Sequence, residues 1–423
     1  MQSSSLTPRC IFPAYTSGKS AVLFSVLVVM IRGQIILKNG RDTSLQRFHP
    51  WVFSGAIAKT AGDITDGCWV SVVNAAGKIL GYGHYQQGSI AVRIVSFNQE
   101  VPTPLIYQEK ISAALALREK TGLISDQTNA YRLIHGEGDG LPGLIVDFYD
   151  GVAVVQAHSF GMNSDRANIA EALNTVLHGK LNAIYYKSKA TLPGKVRDAQ
   201  QDGYLSGMGG VPHVILEHGN KFYVDWEEGQ KTGFFLDQRE NRKLLGEFSA
   251  GKKVLNTFCY TGGFSVYALK AGAAFVHSVD ASEKAIDLTR KNLELNGFDS
   301  EKNFCQAIDT FEFLKDKKDV YDLIILDPPA FAKHRDARHQ AMKGYQRLNS
   351  EAMKAIRKGG IIFTFSCSQV VDRQLFYDTV SSAAILAGRD VRVLHQLTQP
   401  TDHPVSMFHP EGEYLKGLVL YVA

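Results

Sequence analysis

The chain has 423 residues, 45% of them hydrophobic and 21% charged, and a formal net charge of +4. That composition excludes a disordered, collagen-like or disulfide-scaffold protein and leaves room for two or three globular domains. The small positive charge permits a nucleic-acid partner without arguing for one, because a local basic surface matters more than the total.

The five cysteines are widely spaced, with no C-x-x-C, and the histidines form no H-x-x-x-H pair. We expect no disulfide framework, no metal site and a reducing, cytoplasmic setting. Residues 1–30 read as a leader. Ala21–Ile31 is a mostly apolar run preceded by Arg9 and Lys19, with no small-residue cleavage site after it. It falls short of the ~20 residues that span a bilayer. An upstream extension before a start at Met30 is the expected reading; a short first strand or a weak targeting segment is the alternative.

From Ile31 to about residue 100 the pattern is all-β. Gln34–Leu37, Val70–Val73, Lys78–Gly83 and Ile90–Val95 read as strands separated by turns such as Lys38–Arg41 and Asn74–Gly77. Short strands with frequent turns predict a small barrel. Arg47-Phe48-His49-Pro50-Trp51-Val52-Phe53 mixes a cation with aromatic residues. Trp51 and Phe53 either plug the barrel or stack on bases, while Arg47 and His49 face outward, where Arg47 meets phosphate.

Val101-Pro102-Thr103-Pro104 marks a linker, and residues 103–210 are expected to form a central α+β unit. It has helices over Leu105–Thr121 and Asn168–Leu177, and strands at Leu144–Phe148, Val152–Gln156 and Ala183–Tyr186. Tyr131–Gly143, rich in glycine and acids, reads as a tight loop. It has no Walker lysine, which argues against a phosphate cradle.

Residues 211–423 are expected to form the third unit. A hairpin over His213–Asp225 and a loop over Gln230–Arg239 come first. Strands and helices then alternate: Lys253–Thr257, Ala274–Asp280, Asn303–Ala307, Tyr321–Leu326 and Gly360–Phe365 are the strands. Val391–Leu397 and Lys416–Val422 close the series as an antiparallel pair. This alternation predicts an α/β, doubly wound, Rossmann-like sheet with ligands at the strand carboxyl ends.

Chemistry concentrates at those ends. The first βα turn, Asn256–Gly263, carries glycines that admit close backbone approach. Asp280 ends the second strand and suits two ribose hydroxyls. Asp309, past the third, suits an adenine amine or simply caps a helix. Asp327-Pro328-Pro329-Ala330-Phe331 cannot continue as strand or enter a helix directly, so its acid is held at the sheet edge. Cys367 ends the fifth strand and is either a nucleophile or a small buried hydrophobe. Cys259, Cys68 and Cys305 read as packing residues. The cations and histidines of residues 332–343, Lys333 and Arg335 among them, suit phosphate contacts or a solvated loop.

These motifs, with Thr232–Arg239 and Gly136–Gly143, resemble the ribosomal large subunit methyltransferase I family, which makes 5-methylcytidine in 23S rRNA. The resemblance runs from about Ile31 to the carboxyl terminus. It implies an N-terminal PUA domain, a central family-specific domain and a C-terminal class I methyltransferase. The implied cofactor is S-adenosyl-L-methionine, and the implied partner is 23S rRNA or a large-subunit assembly intermediate. No membrane partner is expected; paired PUA surfaces would permit a homodimer. Expected cofactor contacts are Phe258, Tyr260, Thr261, Gly262, Asp280, Asp309, Asp327 and Gln238. Expected substrate contacts are Pro328, Pro329, Phe331, Lys333, Arg335, Tyr345 and Arg47. One departure stands out: the first motif usually begins with Asp, and here the residue is Asn256.

On this reading Cys367 adds to carbon 6 of cytosine, activating carbon 5, while Asp327 meets ring nitrogen 3 and Phe331 stacks on the flipped base. The slot beside the strand-four proline that holds a second cysteine in many such enzymes has none here. Two readings compete: methylation of a base nitrogen on the same fold, and a non-catalytic RNA-binding assembly factor.

Overall fold

The computed structural model describes residues 29–192, 194, 200–298, 300–315, 317–332 and 334–423. The expected leader lies almost entirely outside the described residues. Strands β1 (Ile31–Leu37), β2 (Trp51–Phe53), β3 (Ile57–Gly62), β4 (Trp69–Val73), β5 (Ile79–Tyr85) and β6 (Ile90–Ser96) form a six-stranded sheet in the order β2-β6-β5-β4-β1-β3. Its core is Ile35, Leu37, Leu45, Val52, Val70, Val72, Val92 and Ile94. Of the two readings of Trp51 and Phe53, the barrel plug does not hold. Alternation along β2 turns Val52 inward and leaves Phe53 46% exposed.

A second sheet has five strands: β7 (Ala130–His135), β8 (Leu144–Tyr149), β9 (Val152–Ala157), β10 (Ala183–Tyr186) and β11 (Gly203–Gly207). The stretch from Tyr131, expected as loop, therefore starts as strand. Tyr131, Leu133 and Ile134 enter the core packed by the helix Leu105–Lys120. Only Gly136–Asp139 forms the turn, a single 3-10 segment.

The hairpin of β12 (His213–Glu217) and β13 (Asn220–Val224) leads into the third unit. Its sheet has seven strands: β14 (Lys253–Thr257), β15 (Phe275–Asp280), β16 (Asn303–Ala307), β17 (Tyr321–Leu326), β18 (Ile356–Ser366), β19 (Val391–Leu397) and β20 (Lys416–Val422). The order is β16-β15-β14-β17-β18-β20-β19, parallel from β16 to β18 and antiparallel at β20 and β19. The order reverses between β14 and β17, which is the crevice where such sheets bind ligands.

Both faces of this sheet are covered, so its central strands are apolar almost throughout. In β17, Leu323 and Ile325 pack with Phe264, Val266 and Ile286 on one face. Ile324 and Leu326 pack with Tyr345, Leu348 and Phe376 on the other. Side chains of this size contribute about 1.5–3 kcal/mol each when fully buried. Caps set where the flanking helices begin. Ser282 Oγ accepts from Ala285 N at 3.3 Å, and an Asp372 carboxylate oxygen accepts from Leu375 N at 2.9 Å.

Buried charge ties the central sheet to the third unit. Asp402, fully buried, accepts from Arg239 Nη1 and from Arg132 N, both at 2.9 Å. Its carbonyl accepts from Arg118 Nη2 at 2.7 Å, and Arg118 also holds Asp139 at 2.8 Å. At Gly138 an added Cβ would lie 1.9 Å from the Pro404 carbonyl, so only glycine allows this approach. The glycine-rich loop is thus a joint between units.

Candidate active site

A cavity of about 300 Å³ opens over the carboxyl ends of β14, β15, β17 and β18. Phe258, Tyr260, Thr261, Asp280, Asp309, Gln238, Asp327, Pro328, Pro329 and Cys367 all line it. These positions, up to 129 residues apart between Gln238 and Cys367 by number, meet because parallel strands end on one side.

The first βα turn is wound tightly. Phe258 and Tyr260 have φ of 54° and 46°, and Gly262 has φ of 73°. A Cβ at Gly262 would sit 2.7 Å from Thr289 Cγ2. Tyr260 N donates to Asp280 Oδ2 at 3.0 Å and Ser282 N donates to Oδ1 at 2.9 Å, which orients the acid on β15. Each oxygen keeps a second lone pair for a ligand hydroxyl. Asp309 caps the helix Thr310–Leu314 through Oδ1, which accepts from Phe311 N and Glu312 N, and it also lines the cavity. The helix-cap reading of Asp309 holds, and its place on the cavity wall leaves the adenine contact open to it.

Asn256 lies buried below the turn. Its Nδ2 donates to Ser265 Oγ at 2.8 Å, while Oδ1 finds no partner. Gln238 accepts from Asn241 Nδ2 at 2.6 Å, and its side chain also meets the Asp327 carboxyl, opposing the rise in its proton affinity. Thr310 Oγ1, also on the cavity wall, is unpartnered too. An orphaned polar atom on a cavity wall is what a polar ligand would satisfy. The donors, acceptors and tight turn fit a nucleoside joined to an amino acid.

Asp327 follows β17 directly, and β17 pairs with β18 in parallel through Leu326 and Thr364. Cys367 follows β18, so acid and thiol stand at neighbouring strand ends. Burial, and next the charge of Asp237, push the Asp327 carboxyl up to about 7. Burial and Asp327 likewise raise the Cys367 thiol above its ordinary value, with Lys231 and Lys416 opposing. Lys416 is itself lowered to about 8, first by burial. Its ammonium donates to the carbonyls of Ser368 and Tyr414, both at 2.7 Å, and so pins the segment after Cys367 to the start of β20.

Sequence reasoning missed several walls of the site. Lys231, Phe235, Asp237, Arg242 and Leu415 line the same cavity. The loop Gln230–Arg239 folds over Tyr260: Gln230 N donates to the Tyr260 hydroxyl at 3.0 Å, and the Phe235 ring stands edge-on to Tyr260 at 5.1 Å. Lys231 Nζ lies 4.6 Å above Phe235. The dense Phe, Asp, Gln and Arg content of this loop was the available signal.

Other expected contacts are placed elsewhere. Tyr345 is wholly buried and accepts from Ser366 Oγ at 3.0 Å, which corrects its expected place in the target pocket. Phe331 packs on Tyr345, centroids 4.6 Å apart, because Gly344 leaves room for its ring. Arg47 is exposed on the barrel, beside the Phe48 ring that contacts Phe97 and Phe408. Lys333 lies outside the described residues, as does the side chain of Arg335. Cys259 is buried, with Sγ 3.4 Å from Thr289 Oγ1, and burial raises its thiol strongly. Cys68, Cys259, Cys305 and Cys367 are all free thiols. Cys305 is buried, whereas Cys68 is only half-buried and Cys10 lies outside the described residues.

Among the described residues one trio, His49, His409 and Glu411, has donor atoms close enough to hold an ion. Trp51 N donates to His49 Nδ1 at 3.2 Å. His49 Nε2 faces Glu411 at 3.5 Å. The trio joins the barrel to the C-terminal segment, with the Trp51 ring against His409 at 4.4 Å.

Strand order, glycine turn and cavity are those of a Rossmann-like methyltransferase, and the comparisons with known proteins agree. A family profile described as S-adenosylmethionine-dependent methyltransferase matches residues 131–404, and a PUA-like domain profile matches residues 35–97. The chain is an S-adenosylmethionine-dependent methyltransferase. It belongs to the ribosomal RNA large subunit methyltransferase I family. It is 40% identical to the Aeromonas hydrophila member, covering 91% of this chain and 98% of that one. It is 41% identical to the Shewanella amazonensis member, covering 92% and 99%. Among solved structures, the methyltransferase SMU.776 complexed with SAH shares the fold. Its TM-score is 0.80 at 24% identity, over 93% of this chain and all of that one. No helix among the described residues is long and apolar enough to cross a membrane.

Proposed function

We propose that this enzyme methylates carbon 5 of one cytidine in 23S rRNA through a covalent adduct of Cys367, acting in the cytoplasm on the RNA or an assembling large subunit. The relatives named as ribosomal RNA large subunit methyltransferase I support the substrate class. The observation that carries the chemistry is the shared cavity of Cys367 and Asp327 at adjacent strand ends.

S-adenosylmethionine supplies an electrophilic methyl on sulfur. Gly262 and its turn, Asp280 and Asp309 would hold the nucleoside part, and Gln238 suits its amino-acid part. A flipped cytosine would lie over Pro328 and Pro329, within reach of the thiol. Thiolate addition to carbon 6 turns carbon 5 into a nucleophile. Asp327, near 7, is about half protonated at neutral pH, and in that form it can donate to ring nitrogen 3. A proton on Asp327 also removes the negative charge that most opposes ionisation of Cys367 after burial itself. Protonated acid and thiolate therefore favour one another. Tyr345, buried away from the cavity, makes no contact with the base.

The test is Cys367→Ala assayed on 23S rRNA from cells lacking the gene, with nucleosides mapped by mass. Loss of one 5-methylcytidine on deletion, restored by the wild-type protein and not by Cys367→Ala, is expected. Full activity of the variant would move the reaction to a base nitrogen. Absence of S-adenosylmethionine binding in calorimetry would leave only an RNA-binding role.

A further inference from the structure

We propose that Asp237 is the base that takes the carbon 5 proton from the methylated Cys367 adduct, with Tyr414 as its positioning residue. The inference rests on the cytosine reading above. After methyl transfer, carbon 5 bears both the new methyl and its original hydrogen. The carbon–hydrogen bond must break, and its electron pair becomes the double bond between carbons 5 and 6. The carbon 6–sulfur bond breaks as that double bond forms, and Cys367 leaves as thiolate. The proton needs an acceptor within the same cavity, and the strand-four motif offers no second cysteine.

Each other titratable group of the cavity is committed. Asp280 is fixed by two backbone N–H groups on β15, and Asp309 caps a helix beyond β16, both on the far side of β14 from Cys367. Asp327 must hold a proton to serve ring nitrogen 3, so it cannot take another. Lys231 and Arg242 are cations. The Cys259 thiol is buried against Thr289, and the Tyr260 phenol, raised by burial, accepts from Gln230 N.

Asp237 remains. It is buried, it lines the cavity with Cys367, and its Oδ2 accepts from the Tyr414 hydroxyl at 2.7 Å. No described residue donates to Oδ1. Burial works against its charge, yet Lys231, His403, Tyr414 and Arg132 together hold the carboxyl below its usual range. It stands ionised, with one free oxygen, among the groups whose charge acts on Cys367. Proton loss restores the aromatic ring, so a modest base suffices. Tyr414 precedes Leu415 and Lys416, so the chain that orients Asp237 also carries the ammonium holding the Cys367 segment.

The experiment uses the full chain, 23S rRNA transcribed with tritium at carbon 5 of its cytidines, and a methyl donor labelled with carbon-14. For Asp237→Asn we expect a burst of at most one methyl per enzyme, an RNA–protein adduct that survives SDS, and slow tritium release. Loss of a general base predicts a fall of about 100-fold or more in that release. Wild-type tritium release would overturn the proposal. So would loss of methyl transfer and adduct together, which would place Asp237 before the transfer. Tyr414→Phe keeps the carboxylate and decides the matter if Asp237→Asn does not fold. Slowed release with adduct present supports the proposal, and unchanged release refutes it. Failure of the cytosine reading is seen separately, as methyl incorporation without tritium release by the wild-type enzyme.

Discussion

Asp327→Asn is expected to make the protein more stable, and more so at high pH. The carboxyl is raised from 3.8 to about 7, so its charged form is disfavoured in the folded state. Below about pH 3.8 the acid is neutral both folded and unfolded, and the penalty is absent. Between 3.8 and 7 the unfolded chain binds fewer protons than the native one, and stability falls as pH rises. Above 7 the penalty is constant. A shift of about three units corresponds to roughly 4 kcal/mol at 1.36 kcal/mol per unit. Partial exposure of Asp327 screens this, so about 2–4 kcal/mol is the expected range at pH 8. At pH 5 only the first third of the shift has been felt, and the gain should be about 1 kcal/mol. Urea unfolding of the ligand-free protein and the variant at both pH values checks this. The variant should lose most methyl transfer while gaining that stability, as expected where function maintains a strained group. An equal gain at pH 5 and pH 8, or none, would refute the argument that burial and Asp237 hold Asp327 near 7.

Gly262→Ala forces a side chain into a left-handed turn and against Thr289. It should weaken S-adenosylmethionine binding by about tenfold or more, since that backbone conformation alone disfavours alanine by about 1–2 kcal/mol; calorimetry measures it. Arg239→Met removes the charge partner of buried Asp402. It should destabilise by about 3–5 kcal/mol, read in urea unfolding. Asn256→Asp places a carboxylate where an unpartnered amide oxygen now lies. The ligand-free protein should melt lower, and the melting shift on adding S-adenosylmethionine should be larger than in the wild type.

The strand–helix alternation after Lys253 was legible because a sheet covered on both faces needs near-continuous apolar strands, and β17 has one. Caps such as Ser282 and the Asp-Pro-Pro stop after β17 are local rules, so they too could be read directly. The strand at Tyr131–His135 was hidden because its neighbouring glycines and acids read as loop. Those residues serve a joint with Pro404 and Asp402, more than 260 positions away.

By itself, then, the sequence determined the class of fold, the acid and thiol at the strand ends, and the resemblance that named the family. Only the tertiary structure decided which side chains share the cavity. It brought Asp237, Lys231 and Leu415 beside Cys367, and turned Tyr345 into the core with its hydroxyl on Ser366. It also set Asp327 near 7, because proton affinity depends on burial and neighbouring charge. Strand and turn preferences act over a few residues and are written locally. Cavity walls and electrostatics come from long-range packing, which no short stretch of chain encodes.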